Sequence, residues 1–245
     1  DILEIKGLTK NYGKLKAVSN LNLNVKQGQV YGILGPNGSG KTTTLGMILD
    51  VVAPTSGVYN WFGGISPIEA RKQIGAILET PCFYPYLTAV QNLRITAHIK
   101  ESSPNRIDEV LEQVGLSERK HDKFKTYSLG MKQRLSIAAA LIANPPVLIL
   151  DEPASGLDFL AREQLLYLLE NLNKTYAHLT MIYVTHVIEE IIPLFSKIFL
   201  LKEGSCFGKG ITKDILTDSI MSKFFNNQIE VIQYRNRYHL YINHN

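Results

Sequence analysis

Long apolar runs are missing from this sequence of 245 residues. None of its apolar stretches reaches the roughly 20 residues that a membrane-spanning helix needs, and residues 1–4 lack the pattern of a signal peptide. If the protein acts at a membrane, we therefore expect another subunit to cross it.

Cysteine is also scarce, because Cys82 and Cys206 are the only two. We interpret both as buried free thiols, which argues against a disulfide framework or a cysteine-rich metal site.

Dense clusters of positive charge are missing too. The formal net charge is +4, and the 26 Lys and Arg residues are spread along the chain. The sequence therefore gives little support for nucleic-acid binding. Hydrophobic residues make up 45% of the chain, which is enough for an ordinary globular core. The length allows one α/β domain or two small lobes.

The most informative stretch has the pattern G-x-x-x-x-G-K-T, the phosphate-binding P-loop of nucleotide hydrolases. It follows an apolar run at residues 29–34 that predicts a buried strand, and it precedes residues 43–49, which suit a helix. Glycines let the backbone approach phosphates, and the N–H groups that open the helix attract negative charge. A glycine turn followed by a chance Lys-Thr is the alternative, and the motifs further along the chain argue against it. The P-loop consists of Gly35, Pro36, Asn37, Gly38, Ser39, Gly40, Lys41 and Thr42.

Hydrophobic periodicity predicts an α/β fold. Residues 3–8, 21–25 and 58–62 are expected to form a small antiparallel sheet. Strands then alternate with helices, which indicates a mainly parallel sheet. We therefore predict a P-loop NTPase (RecA-like) core, an N-terminal antiparallel β-subdomain and an α-helical subdomain at about 88–144. The later strands are expected at 74–78, 147–150, 180–184 and 197–201, and the helices at 89–99 (N-capped by Thr88), 106–114 (closed by Gly115), 131–143 and 163–176.

The C-terminal part, residues 211–245, is expected to be an extension of a domain that covers residues 1–210. A helix at 214–225 and a hairpin of residues 229–234 and 237–242, turning at Arg235-Asn236, are predicted there. Two roles remain open for the hairpin, namely simple packing against the body of the protein or regulation. The final residues, 243–245, are expected to be disordered.

Five polar residues form a predicted catalytic set, and three of them lie at the ends of predicted strands. Lys41 is expected to reach the β- and γ-phosphates, and the Thr42 hydroxyl to ligate Mg²⁺. Asp151 ends an apolar strand, and the carboxyl ends of strands in such a sheet lie beside the P-loop, so we expect it to help hold Mg²⁺. Glu152 follows it and can orient or deprotonate the attacking water. A histidine at a strand end is more often structural, but the position of His186 after these carboxylates favours contact with the γ-phosphate.

With these motifs the chain resembles the ATP-binding subunit of an ABC transporter over roughly residues 2–210. The stretch at 127–134, Y-S-L-G-M-K-Q-R, matches the family signature, and residues 155–158 match its D-loop. The resemblance implies that Tyr12 stacks on adenine, although a surface turn would also explain this residue. It further implies that ATP and Mg²⁺ are bound, with Thr43, Ser128, Gly130 and Asp158 among the nucleotide-binding residues.

The resemblance also implies partners. Two such domains face each other head to tail and enclose ATP between the P-loop of one and the signature of the other. The second domain is either a copy of this chain or a different ATP-binding subunit. A separately encoded transmembrane permease is implied, which would place the chain at the cytoplasmic face of the cell membrane, and no nucleic acid is expected.

The chain departs from the family pattern at three positions. The signature has Leu129 where glycine is usual and Met131 where glutamine is usual. Glu79 stands where the family commonly has a glutamine that meets Mg²⁺ and the water, so we expect it to act in catalysis and as a metal ligand. With the following residues 80–88, it resembles the bacitracin-resistance and lantibiotic self-immunity exporters.

The sequence is less consistent with two other functions. Soluble ABC ATPases that act on ribosomes resemble two such domains in one chain, and those that act on DNA carry long coiled-coil insertions. This chain has one such domain and no heptad run between Lys41 and Ser128. A catalytically dead regulatory module is disfavoured, because the P-loop lysine, both carboxylates and His186 are present. The sequence therefore favours the ATPase of a membrane exporter.

Overall fold

The computed structural model describes residues 1–242, and these residues divide into two compact units. Unit 1 combines residues 1–70 with the residues from 180 onward, and unit 2 comprises residues 71–179. In chain order the helices and strands are β1 (Leu3–Tyr12), β2 (Leu15–Val25), β3 (Val30–Leu34), α1 (Lys41–Ile48), β4 (Ser56–Trp61), α2 (Pro67–Lys72), β5 (Ile74–Ile77), α3 (Ala89–Ile99), α4 (Ile107–Gln113), α5 (Leu129–Leu141), β6 (Val147–Asp151), α6 (Phe159–Thr175), β7 (Thr180–Thr185), β8 (Lys197–Lys202), β9 (Ser205–Ile211), α7 (Thr212–Ile215), α8 (Asp218–Phe225), β10 (Ile229–Tyr234) and β11 (Arg237–Ile242).

Two of the sheets in unit 1 differ in their strand direction. The N-terminal sheet has the order β2-β1-β4 and is antiparallel. In the second sheet β3 pairs in parallel with both β7 and β8, and β9 pairs antiparallel with β8. Every residue of β3 and β7 is buried, as expected for continuous apolar strands that are covered on both faces. This arrangement confirms the predicted α/β fold with an antiparallel N-terminal part.

Unit 2 combines a parallel strand pair with helices. β5 pairs in parallel with β6, which is wholly buried. The predicted start of α3 is confirmed, because the Thr88 side chain accepts from the N–H of Gln91 and the Gln91 side chain accepts from the N–H of Thr88. These reciprocal bonds satisfy two of the N–H groups that a helix start leaves without a partner.

Several predicted boundaries were wrong. β2 begins at Leu15 instead of residue 21, because the chain folds back at Gly13 and Leu15 pairs directly with Tyr12. α5 and α6 begin at 129 and 159, earlier than predicted, since Ser128 and Asp158 act as their N-caps. The helix expected at 214–225 is two helices, α7 and α8. Strand β9 was not predicted.

The predicted C-terminal hairpin is present. β10 and β11 pair from Tyr234 opposite Arg237, and the turn residues Arg235 and Asn236 both have positive φ, as a two-residue hairpin turn requires. The expected disorder at residues 243–245 lies outside the described residues.

The exposure of the two cysteines and the character of the helices bear on two of the predictions above. Cys82 and Cys206 are exposed, so the expectation that both thiols are buried was wrong. Among residues 1–242, no helix combines the length and apolar character that a membrane crossing demands.

Candidate active site

The P-loop lies in unit 1, between the buried strand β3 and helix α1. Gly38 and Gly40 have φ angles of 78° and 101°, in the left-handed region that favours glycine. A side chain at Gly35 would place its Cβ 2.4 Å from the carbonyl O of Leu201, and at Gly40 it would lie 2.6 Å from the carbonyl O of Ala17. Conformation therefore favours glycine at position 38, the lack of space requires it at position 35, and both reasons apply at position 40.

Lys41 is the first residue of α1, and its side chain turns back over the loop. Its Nζ donates to the carbonyl O of Gly35 at 2.7 Å and of Pro36 at 3.3 Å, and the residue is only 6% exposed. Asn37 and Thr42 are exposed beside it. A positive charge at the N-terminus of a helix thus lies next to an accessible loop, an arrangement suited to phosphate.

The neighbouring strand β7 brings His186 to the same edge of the sheet. Leu34 is paired with Thr185, and the N–H of Gly35 donates to the carbonyl O of Thr185 at 3.3 Å. His186 is the next residue and is exposed. Within unit 1 the structure therefore brings together the P-loop and the predicted switch histidine.

Glu190 is a functional candidate that the sequence analysis missed. It is 3% exposed, and its Oε2 accepts from the hydroxyl groups of Tyr183 at 2.8 Å and Thr185 at 2.7 Å. The sequence offers one signal for it, because two adjacent glutamates, Glu189 and Glu190, follow His186 between apolar residues. Nothing in the pattern indicated that its partners come from β7.

Tyr12 lies at the end of β1, where the β1–β2 hairpin turns. Its side chain is 49% exposed, and Lys10 Nζ lies 5.1 Å from the ring centroid. The adjoining strand β2 passes the P-loop, since Ala17 lies next to Gly40 and Ser19 N–H donates to the carbonyl O of Gly204 at 2.7 Å. An exposed ring on this hairpin is suited to stacking on a base.

Unit 2 carries the predicted carboxylates at one edge of its strand pair. Asp151 ends β6 and is 3% exposed. Glu152 follows with a φ of 48°, a conformation that costs a non-glycine residue on the order of 1–3 kcal/mol and concentrates at functional sites. Because Ile77 is paired with Leu150, the Glu79 segment leaves β5 at the same edge.

Gln133 links the Glu79 segment to the signature helix. Its Nε2 donates to the main-chain carbonyl O of Glu79 at 3.3 Å, and Gln133 is 1% exposed. The Glu79 side chain itself is exposed. The backbone of this segment is therefore held by α5 while its carboxylate faces outward.

The signature residues form the start of α5. Ser128 is the N-cap, and its Oγ accepts from the N–H of Met131 at 3.3 Å. A Cβ at Gly130 would lie 3.3 Å from Cβ of Ala161, and one at Gly156 would lie 3.2 Å from Cδ2 of Leu129. The first turn of α5 therefore packs closely on the D-loop and on the start of α6, and Leu129 fills that contact while remaining 42% exposed.

Asp158 has a structural role in addition to its predicted one. Its Oδ1 accepts from the N–H of Ala161 at 2.8 Å, which caps α6. Replacing such a cap by alanine typically costs about 0.5–2 kcal/mol. The predicted contact of Asp158 with nucleotide remains a prediction.

Two polar side chains anchor the signature segment to the protein backbone. Burial raises the pKa of the Tyr127 phenol, whose hydroxyl donates to the carbonyl O of Arg119 at 2.7 Å. Burial also lowers the pKa of the Arg134 guanidinium, which donates to the carbonyl O of Val114 at 3.5 Å. Both residues of the motif therefore contact protein backbone, and they fix the base of α5.

Comparison with known proteins decides the family. The sequence pattern of the family described as ABC transporter matches residues 18–155. The chain belongs to the ABC transporter family. The cassette is 44% identical over 207 residues to a bacitracin transport ATP-binding protein of Bacillus licheniformis, covering 83% of this chain and 67% of that protein. It is 34% identical over 228 residues to a lantibiotic transport ATP-binding protein of Streptococcus pyogenes, covering 93% of this chain and 97% of that protein.

Solved structures agree with the fold. CbiO1 of Clostridium perfringens, part of an ABC transporter complex, superposes with a TM-score of 0.80 at 28% identity, over 92% of this chain and 94% of that one. A bacterial ABC transporter cassette solved as a dimer has a TM-score of 0.75 at 29% identity, covering 85% of this chain and 98% of that one. The predicted α/β fold and the predicted ABC ATPase identity of the cassette are thus confirmed.

Proposed function

We propose that this cassette binds and hydrolyses ATP at the P-loop to drive export through a membrane permease. The observation that carries the proposal is the adjacency of two phosphate-directed elements in unit 1: the Gly35 N–H lies 3.3 Å from the carbonyl O of Thr185, immediately before His186. The loop amides and Lys41 bind the triphosphate, Thr43 supports it from the first turn of α1, and Tyr12 stacks on the adenine.

Hydrolysis needs a base and a group that holds the water. Glu152 accepts the proton of the attacking water, and His186 donates a hydrogen bond to the γ-phosphate. Mg²⁺ fits the donor set, because it prefers oxygen ligands and binds through one or two carboxylates together with substrate phosphates. Thr42, Asp151 and Glu79 offer such oxygens. Bound Mg²⁺ would neutralise charge that develops on the phosphates.

The signature acts on the nucleotide of a second cassette. We propose that two copies of this chain associate head to tail, so that the hydroxyl of Ser128, the N–H of Gly130 and the N-terminus of α5 meet the γ-phosphate held by the partner. Asp158 lies beside this contact. The dimeric form of a cassette that is 29% identical supports this arrangement.

The relatives indicate the cargo class. Proteins 34–44% identical to this chain are named as ATP-binding proteins of bacitracin and lantibiotic transport. We propose that the cargo is a membrane-active peptide antibiotic and that a separate permease carries it across. The cassette would then act peripherally, on the cytoplasmic face of the cell membrane.

Purification from native membranes under mild detergent tests this proposal. We expect a polytopic membrane protein to accompany the chain. We also expect loss of the chain to sensitise cells to bacitracin or to a lantibiotic, and that the parental gene, but not a Glu152→Gln allele, restores resistance. Ribosomal or DNA-bound material without a membrane partner would instead support a soluble ABC ATPase.

A further inference from the structure

The C-terminal hairpin lies against the segment that follows His186. Arg237, the first residue of β11, donates from Nη1 to the main-chain carbonyl O of Glu189 at 3.1 Å. Tyr238 beside it is 8% exposed, and burial raises the pKa of its phenol. The start of β11 is therefore seated in the body of unit 1, with a cation directed at the backbone of residues 188–190.

The same segment is also held by a buried carboxylate. Glu190 Oε2 accepts from the hydroxyl groups of Tyr183 and Thr185. Thr185 Oγ1 in turn accepts from the N–H of Val187 at 3.0 Å. His186 lies between two residues, Thr185 and Val187, that this network joins, so the network restricts the backbone that carries the histidine.

The hairpin is itself anchored to the rest of unit 1. Ser222 Oγ accepts from the N–H of Ile229 at 2.9 Å and donates to its carbonyl O at 3.1 Å, and Asp218 Oδ1 accepts from the N–H of Val231 at 2.8 Å. Lys202 Nζ donates to a carbonyl in the last turn of α8 at 2.5 Å. Just after Lys202, the N–H of Gly204 donates to the carbonyl O of Ser39 in the P-loop at 2.9 Å.

We infer that Arg237 is a positioning residue for His186, and that the C-terminal hairpin braces the switch-histidine segment during ATP hydrolysis. The inference rests on the proposed role of His186. Glu190 accepts from the hydroxyl of Thr185, which in turn accepts from the N–H of Val187, and Arg237 donates to the carbonyl O of Glu189. Loss of either Glu190 or Arg237 therefore leaves His186 on a less constrained loop. Binding of ATP depends on the P-loop and is left intact, because the hairpin contributes no residue to it.

The test compares Arg237→Met with the parental chain. Loss of this hydrogen bond leaves His186 on a less constrained loop, so we expect kcat for ATP hydrolysis to fall about three- to tenfold, which corresponds to about 0.7–1.4 kcal/mol. KM and the Kd for ATP should stay within about twofold of the parental values. Hydrogen exchange at the amides of Val187 and Glu190 should accelerate. Arg237→Lys retains a donor and should recover at least half of the lost turnover.

Arg235→Met is the matched control, because it removes the same charge from the exposed turn of the same hairpin. It should leave turnover and exchange unchanged. Tyr183→Phe removes one hydrogen-bond donor to Glu190 and should lower kcat in the same way. Parental turnover in Arg237→Met, or an equal loss in Arg235→Met, overturns the inference. If the parental chain itself does not hydrolyse ATP, the proposed function fails, and unchanged amide exchange in Arg237→Met would then refute the brace separately.

Discussion

Glu152→Gln is expected to bind ATP but to lose most of its hydrolysis. General-base catalysis contributes about 10²- to 10⁴-fold, and glutamine keeps the size of the side chain while it cannot accept the proton. The P-loop and the signature are unchanged, so ATP should hold two copies together without being consumed. Sedimentation velocity with ATP should therefore show a dimer that the parental chain does not accumulate.

The matched control for this variant is Glu112→Gln, which makes the same change at an exposed position of α4. It should hydrolyse ATP at the parental rate and form no trapped dimer. A Glu152→Gln variant that turns over at the parental rate would refute the role of Glu152 as the base. Trapped dimers in the Glu112→Gln control would show that the dimer does not depend on blocked hydrolysis.

Lys41→Met is expected to bind ATP much more weakly than the parental chain. Methionine fills a similar volume beside the P-loop but removes the ammonium group that donates to the carbonyl oxygens of Gly35 and Pro36. A hydrogen bond to a charged group contributes about 1.5–3 kcal/mol, which corresponds to a roughly ten- to hundredfold weaker Kd. Isothermal titration with a non-hydrolysable ATP analogue measures this change directly.

Lys213→Met provides the control, since it removes the same charge from an exposed position of α7 in unit 1. Its Kd should equal that of the parental chain. If Lys41→Met bound the analogue as tightly as the parent, the P-loop would not be the triphosphate site, and the account of unit 1 would be wrong.

Much of the fold could be predicted because its signals are local. The continuous apolar runs at β3, β6 and β7 indicate buried parallel strands. The N-cap residue Thr88 marks where α3 begins, and the turn at Arg235-Asn236 marks where β10 ends. Boundaries were wrong where a capping residue was read as part of a functional motif: Ser128 and Asp158 were assigned to nucleotide contact, and both also begin helices. Strand β9 was not predicted because its glycines and exposed residues give only a weak alternation of apolar and polar side chains.

The identities of the proposed catalytic residues were readable from spacing, but their conformations were not. The left-handed φ of Glu152 has no signature in the sequence, since the residue is not a glycine or an asparagine. The hydrogen bonds from Tyr183 to Glu190 and from Gln133 to the backbone of Glu79 form only once the chain has folded. Such tertiary contacts depend on side-chain direction, which hydrophobic periodicity does not specify.

Complementation between two inactive variants tests the head-to-tail ATPase most directly. Lys41→Met disables the P-loop, and Ser128→Asp places a carboxylate against the γ-phosphate while aspartate still caps α5. Mixed in equal amounts, half of the dimers contain one site built from the two intact elements, so we expect about a quarter of the parental turnover from two otherwise inactive proteins. A mixture no more active than the variants alone would contradict the claim that the P-loop of one copy works with the signature of another.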